Sequence, residues 1–131
     1  MGLIEVDALA DTSAFVAVER ARPLRTPMPK QLAVSYVTIA ELIAGLLVAP
    51  TPSERECRLR TLLQANRLRP LRVDGQVAQV WAELRSMLRE SKRALAANDS
   101  WIAATAIAYQ LPLATQDEDY ADIPGLQLIR L

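Results

Sequence analysis

Histidine is absent from this 131-residue chain, and cysteine occurs once, at Cys57. The first absence removes the commonest general base, the usual zinc and copper ligand, and any His-activated nucleophile. The second excludes a disulfide framework or a cysteine metal cluster, and agrees with a reducing, cytoplasmic location. There is no excess of charge of either sign: 15 cationic side chains balance 15 acidic ones. A nucleic-acid partner must therefore be held by a local basic patch rather than by overall attraction. No apolar run is long enough to span a membrane. The first residues, MGLIEVDALAD, hold three acids and no basic residue, which is not the pattern of a secretory signal.

What is present is an ordinary globular composition, 51% apolar and 23% charged, of a size suited to one domain over residues 1–131. Hydrophobic patterning predicts strands over residues 3–10, 32–37, 68–73, 112–115 and 126–131. It predicts helices over 14–20, 38–49, 75–90 and 99–110, with a further helix opening at Thr51-Pro52-Ser53-Glu54. That opening is a capping box with proline at the first helical position, and Leu59, Leu62 and Leu63 form the helix's expected apolar stripe. Residues 20–31 contain Pro23, Pro27 and Pro29 and read as an irregular loop. The helix over 38–49 is apolar on nearly every side, so it lies between layers or under a partner. Strand alternating with helix predicts an α/β domain, a mostly parallel sheet of four or five strands flanked by helices.

In such a sheet, ligand sites form outside the carboxyl ends of the strands. Asp11 falls where the first strand gives way to helix, and Glu41 in the first turn after the second strand. Asp117 directly follows the strand over 112–115, and Asp99 opens the helix that delivers that strand. Each acid has an ordinary use as a helix cap or turn residue, and Thr38 to Glu41 even fits a capping box. Four caps need not converge on one edge, however. Two unit charges 4 Å apart repel by about 4 kcal/mol at an effective dielectric of 20, and a fold is only ~5–15 kcal/mol stable. Such a gathering needs a neutralising partner. All-oxygen ligation points to a hard divalent cation, Mg2+ or Mn2+, and such a site suits phosphate esters. Asp99 is then expected both to cap its helix and to face the ion.

Four stretches in order, ADTSAF, TIAEL, NDSWIAATAIA and LATQDEDY, make the chain resemble the PIN-domain ribonucleases, in particular the VapC-type toxins of VapBC toxin–antitoxin modules. The resemblance spans nearly the whole chain. It implies an acidic site at Asp11, Glu41, Asp99 and Asp117, with supporting hydroxyls at Ser13 and Thr115 and an outer ligand at Asp119. It also implies Mg2+- or Mn2+-dependent endonucleolytic cleavage of RNA by water, leaving 5′-phosphate and 3′-hydroxyl ends, and toxin homodimers bound by VapB-type antitoxin chains.

Holding RNA requires cations near the acids. Arg85, Arg89 and Lys92 share one helical face ahead of Asp99 and are the first candidates for phosphate contact. Arg20, Arg22, Arg25 and Lys30 rank lower, because a loop after the first helix is expected at the sheet edge away from the acids. Trp101 reads as core, and Tyr120 as a residue at the edge of the site. A haloacid-dehalogenase-type phosphatase would need an acid where Ser13 stands, and a receiver domain would need adjacent early acids and a late lysine. The remaining alternative is a non-catalytic module that binds RNA or an antitoxin.

Overall fold

A computed structural model describes residues 5–131 as five strands and five helices, with helix pairs in two of the connections between strands. The strands are β1 (Ala8–Ala10), β2 (Leu32–Ser35), β3 (Arg69–Leu71), β4 (Leu113–Thr115) and β5 (Leu128–Arg130). The helices are α1 (Thr12–Glu19), α2 (Tyr36–Leu47), α3 (Pro52–Ala65), α4 (Gly75–Glu90) and α5 (Ala97–Ala108), with a short 3-10 turn at Glu118–Tyr120. All four strand pairings are parallel, in the order β3-β2-β1-β4-β5. The chain moves outward from β1 through β2 to β3, then crosses to β4 on the other side of β1. The β1/β4 junction is thus the point where strand order reverses, and a cleft opens there beyond the carboxyl ends.

Period-two alternation divides the core into two layers. Leu9, Ala33 and Leu113 pack with Val77, Leu84 and Ile102 of α4 and α5. Ala8, Ala10, Val34 and Ala114 face the other way, onto Phe15, Leu42 and Leu62 of α1, α2 and α3. The inward side of α5 is mostly alanine, with Ala103, Ala104 and Ala106 fully buried. Trp101 is half-buried and stacks on Trp81 of α4, with ring centroids 4.4 Å apart. The Trp81 indole N–H donates to Ser100 Oγ at 2.9 Å, which ties α4 to the start of α5.

The expected element order is observed, and α4 has the bounds its spacing predicts. Several boundaries differ for local reasons. The first strand is confined to Ala8–Ala10; residues 3 and 4 lie outside the described residues, and 5–7 are not strand. The second strand ends at Ser35, whose hydroxyl accepts from the Val37 N–H at 3.0 Å and so caps α2 two residues earlier than expected. Thr38 is therefore no cap, and Glu41 lies in the second turn of α2 rather than the first. On α3 only Leu62 of the predicted stripe is buried. Leu59 and Leu63 are exposed, because the inward face is completed by Thr61 and Ala65 instead. No helix is long and apolar enough to cross a membrane among the described residues.

Candidate active site

Asp11 leaves β1 and caps α1, its carboxylate accepting from the Ala14 N–H at 3.0 Å. The same carboxylate accepts from Ser13 Oγ at 2.7 Å and from Thr115 Oγ1 at 2.6 Å. Ser13 Oγ in turn accepts from the Gln116 N–H, and Thr115 Oγ1 from the Asp117 N–H, each at 2.9 Å. These two hydroxyls lock the ends of β1 and β4 together around one buried acid. Burial pushes the Asp11 carboxyl up to about 6, and the charge of Asp117 adds to this, against the three hydrogen bonds that favour the ionised form.

The remaining acids reach the same cleft from three other elements. One carboxylate oxygen from each of Asp99, Asp117 and Asp119 lies within 4.8 Å of the other two. Asp99 is raised chiefly by burial, with the charges of Asp117, Glu41 and Asp119 adding, while a hydrogen bond from the Tyr120 hydroxyl at 3.0 Å opposes the shift. Tyr120 is itself buried beside Asp11 and Asp99, and that burial and charge keep its hydroxyl protonated as a fixed donor. Glu41 is oriented by Thr12 Oγ1, which donates to it at 2.6 Å, and by the Asn98 amide at 3.4 Å. Asp117 opens the 3-10 turn and accepts from the Asp119 N–H at 2.9 Å.

This donor set fits a hard divalent cation. It consists of oxygens alone, brought to one edge of the sheet from four elements. At 4.8 Å a pair of unit charges repels by about 3.5 kcal/mol at an effective dielectric of 20, less where solvent screens Asp119. Among the described residues, no lysine or arginine forms an ion pair with any of the five acids. The repulsion is therefore left for a bound cation to relieve.

Two expectations about this region need correction. Asp99 does not cap α5. The helix begins at Ala97, two residues before Asp99, with Ala96 in the cap position and no side-chain cap bond, so Asp99 falls inside the first turn. Freed from capping, Asp99 turns its carboxylate to Tyr120. The loop over 20–31 does not lie away from the acids either. The Gln116 amide donates to the Pro23 carbonyl at 3.0 Å and holds this loop against the segment after β4.

Of the predicted cations, Arg85 stacks over the Trp81 ring with its guanidinium carbon 5.8 Å from the centroid, and Arg89 and Lys92 are exposed. On this side a further cation, Arg93, not among the predicted ones, touches the acidic loop; its guanidinium donates to the Asp119 carbonyl at 2.9 Å. The four-residue spacing of Arg85, Arg89 and Arg93 was the available signal. Thr12 and Asn98, the partners of Glu41, were also missed, although both lie inside the quoted motifs.

The fold and the acid-lined switch point define a class, and the chain belongs to it: the PIN-domain family model matches residues 8–126. Ribonuclease VapC4 of Mycobacterium tuberculosis is 44% identical over 95% of this chain and 96% of its own length. Ribonuclease VapC5 of the same organism is 42% identical over 92% of this chain and 90% of its own. Among solved structures, VapBC-5 from Mycobacterium tuberculosis, a member of the VapBC family of toxin–antitoxin systems, superposes with a TM-score of 0.87 at 38% identity, covering 97% of this chain and 100% of that one.

Proposed function

We propose that this chain is the toxin of a type II toxin–antitoxin pair, an endoribonuclease that hydrolyses RNA with Mg2+ or Mn2+. The observation that carries the reading is the convergence of Asp11, Glu41, Asp99, Asp117 and Asp119 at the strand-order reversal of a PIN domain 44% identical to Ribonuclease VapC4. The PIN domain is read as the whole of residues 1–131, and a cytoplasmic location follows from an RNA target and the single cysteine.

Asp11, Asp99 and Asp117 would hold the ion, with Glu41 and Asp119 completing the negative pocket. A bound divalent ion supplies charge to the nonbridging phosphate oxygens, lowers the pKa of water and stabilises the leaving oxygen. The chain's own residues fix the geometry. Ser13, Thr115 and the Ala14 N–H hold Asp11 in one orientation and partly offset its burial. Tyr120 fixes Asp99, and Thr12 fixes Glu41. With Asp11, Glu41, Asp99 and Asp117 each held by a donor, little reorganisation of these four remains when the phosphodiester enters. Water attack at phosphorus breaks the bond to the 3′ oxygen, leaving 5′-phosphate and 3′-hydroxyl ends. Arg85, Arg89 and Lys92, with Arg93 beside the acidic loop, are the basic residues on the α4 side available to RNA.

The partner is a VapB-type antitoxin, as in the VapBC-5 complex, and toxin chains pair as homodimers within the hetero-oligomer. Exposed apolar residues give such partners a surface: Tyr36, Ile43 and Leu47 share one face of α2, and Leu59 and Leu63 lie on α3.

The test is to induce the chain without its antitoxin and map new 5′-phosphate ends in cellular RNA, alongside cleavage by purified protein. Cutting is expected with Mg2+ or Mn2+, to stop with EDTA, and to be lost in Asp11→Asn and Asp99→Asn proteins that still fold. Wild-type cutting by Asp99→Asn would remove Asp99 from the ion site.

A further inference from the structure

We infer that a second basic subsite for the RNA strand lies on the opposite side of Asp117 from α4, in the cleft between the 20–31 loop and the segment after β4. This inference rests on the ribonuclease reading. The cleft has a volume of about 390 Å3, and its lining includes Thr115, Asp117 and Glu118 together with Arg25 and Arg130. That volume falls within the ~300–1,000 Å3 range of small-ligand clefts and accommodates one nucleotide. It adjoins the acids directly, since Thr115 is the residue that donates to Asp11 and Asp117 belongs to the close carboxylate trio.

Three observations point to a strand passing through. The first concerns charge. A pocket of five acids repels a phosphodiester chain on both sides of the cleavage point, and on this side Arg25 and Arg130 are the two cations lining the cleft. The second is availability. Among the described residues Arg25 enters no ion pair and no side-chain hydrogen bond, so its guanidinium is free to meet a phosphate. Arg130 is held only by exposed Glu118, at 2.5 Å, a pairing that a phosphate can displace. The third is fixation. The Gln116 amide donates to the Pro23 carbonyl at 3.0 Å and to the Leu131 carbonyl at 3.5 Å, which ties the loop bearing Arg25 and the strand bearing Arg130 to the acid segment. Pro23 and the partly exposed Leu24 give the same cleft an apolar floor for a sugar or base. An arginine suits the task because its planar fork bonds phosphate bidentately.

The test uses a labelled short single-stranded RNA of mixed sequence, with Mg2+, and the full chain carrying Asp99→Asn so that the RNA stays intact. Adding Arg25→Ala is expected to weaken binding roughly tenfold, the loss of one charged hydrogen-bonded contact. It should also reduce the slope of log affinity against log salt by about 0.7, the value for one phosphate on a single strand. Arg25→Lys should retain the slope, and Arg130→Ala should lower it likewise. Unchanged affinity and slope in Arg25→Ala, while the wild-type chain still cuts RNA, overturns the subsite and leaves the ribonuclease reading standing. A wild-type chain that cuts no RNA with either ion removes that reading and the subsite with it. Both arginine variants lie on the surface, and an unchanged melting temperature confirms that they fold.

Discussion

Asp11 occupies a position that a carboxylate would not take without other support: it is 2% exposed and faces the charge of Asp117. In the unfolded chain this group loses its proton near 3.8, whereas in the metal-free fold it keeps it up to about 6. Between those values the folded state binds more protons, so stability falls as pH rises. Above about 6 the whole penalty, on the order of 3 kcal/mol, is present. Metal-free protein should therefore melt at a higher temperature near pH 5 than near pH 7.5, and saturating Mn2+ should remove the difference by favouring the charged form. Asp11→Asn should flatten the metal-free dependence, because Asn still accepts from Ser13 and Ala14 and carries no charge. Melting in EDTA across this pH range checks both. A wild-type curve with no slope, or a variant that keeps it, would detach the burial of Asp11 from the stability of the fold. At this scale the acids were legible in the sequence because their types and their places at strand ends are local facts. Of their holders, Ser13 and Thr115 came with the family resemblance and donate to Asp11; the bonds from Tyr120 to Asp99 across 21 residues and from Thr12 to Glu41 across 29 were not legible, because such pairings exist only after folding.

Helix starts show where element-scale reading succeeds and where it fails. Thr51-Pro52-Ser53-Glu54 announces α3, and the structure has Thr51 accepting from the Glu54 N–H at 3.1 Å, because the whole device lies within four residues. The start of α2 was hidden, since Tyr36 and Val37, both strand-favouring residues, continue the run begun at Leu32, and Thr38 to Glu41 imitates a capping box. The start of α5 was hidden in the opposite way: Asn98-Asp99 looks like a cap, while the helix already begins at Ala97, a good helix former, and takes both residues into its first turn. The site of the 20–31 loop could not be read at all, because it depends on a bond from Gln116 far along the chain. These assignments separate two variants. Ser35→Ala should lose a buried cap worth about 1 kcal/mol and lower the melting temperature by about 3–5 °C. Asp99→Asn, measured without metal, should melt no lower than wild type, since it removes a like charge and no cap. Calorimetry in EDTA decides between them. A drop for Asp99→Asn with none for Ser35→Ala would place the caps where the sequence seemed to put them.

The whole molecule presents an unequal surface. On the α4–α5 side the apolar residues are largely spent in the core, whereas α2 and α3 leave Leu47 and Val48 at 74% exposure and Leu63 at 52%. Neighbouring apolar side chains exposed in this way mark an interaction site. A cleft of about 150 Å3 between α1, α2 and α3 is lined by Thr12, Glu19, Arg20, Leu42, Gly45 and Arg58, with Glu41 of the acidic site among its walls. An antitoxin segment lying on α2 therefore has a path from an apolar surface to the acids. A basic side chain delivered along it would occupy the charge that a divalent ion otherwise fills, with arginine favoured for its bidentate geometry. Two outcomes follow for a complex with the product of the adjacent upstream gene. Leu47→Asp, at a surface position, should change stability by no more than about 0.5 kcal/mol, yet weaken the complex at least ~30-fold as the loss of a hot spot. Its RNA cleavage should then persist at antitoxin concentrations that silence wild type. Inhibition of the wild-type chain should weaken as Mn2+ is raised, since the ion and the basic side chain compete for one set of carboxylates. Titrating antitoxin against cleavage at several Mn2+ concentrations reads both effects. Inhibition that ignores Mn2+ while Leu47→Asp still releases the enzyme would mean that the antitoxin covers the RNA path and leaves the acids untouched.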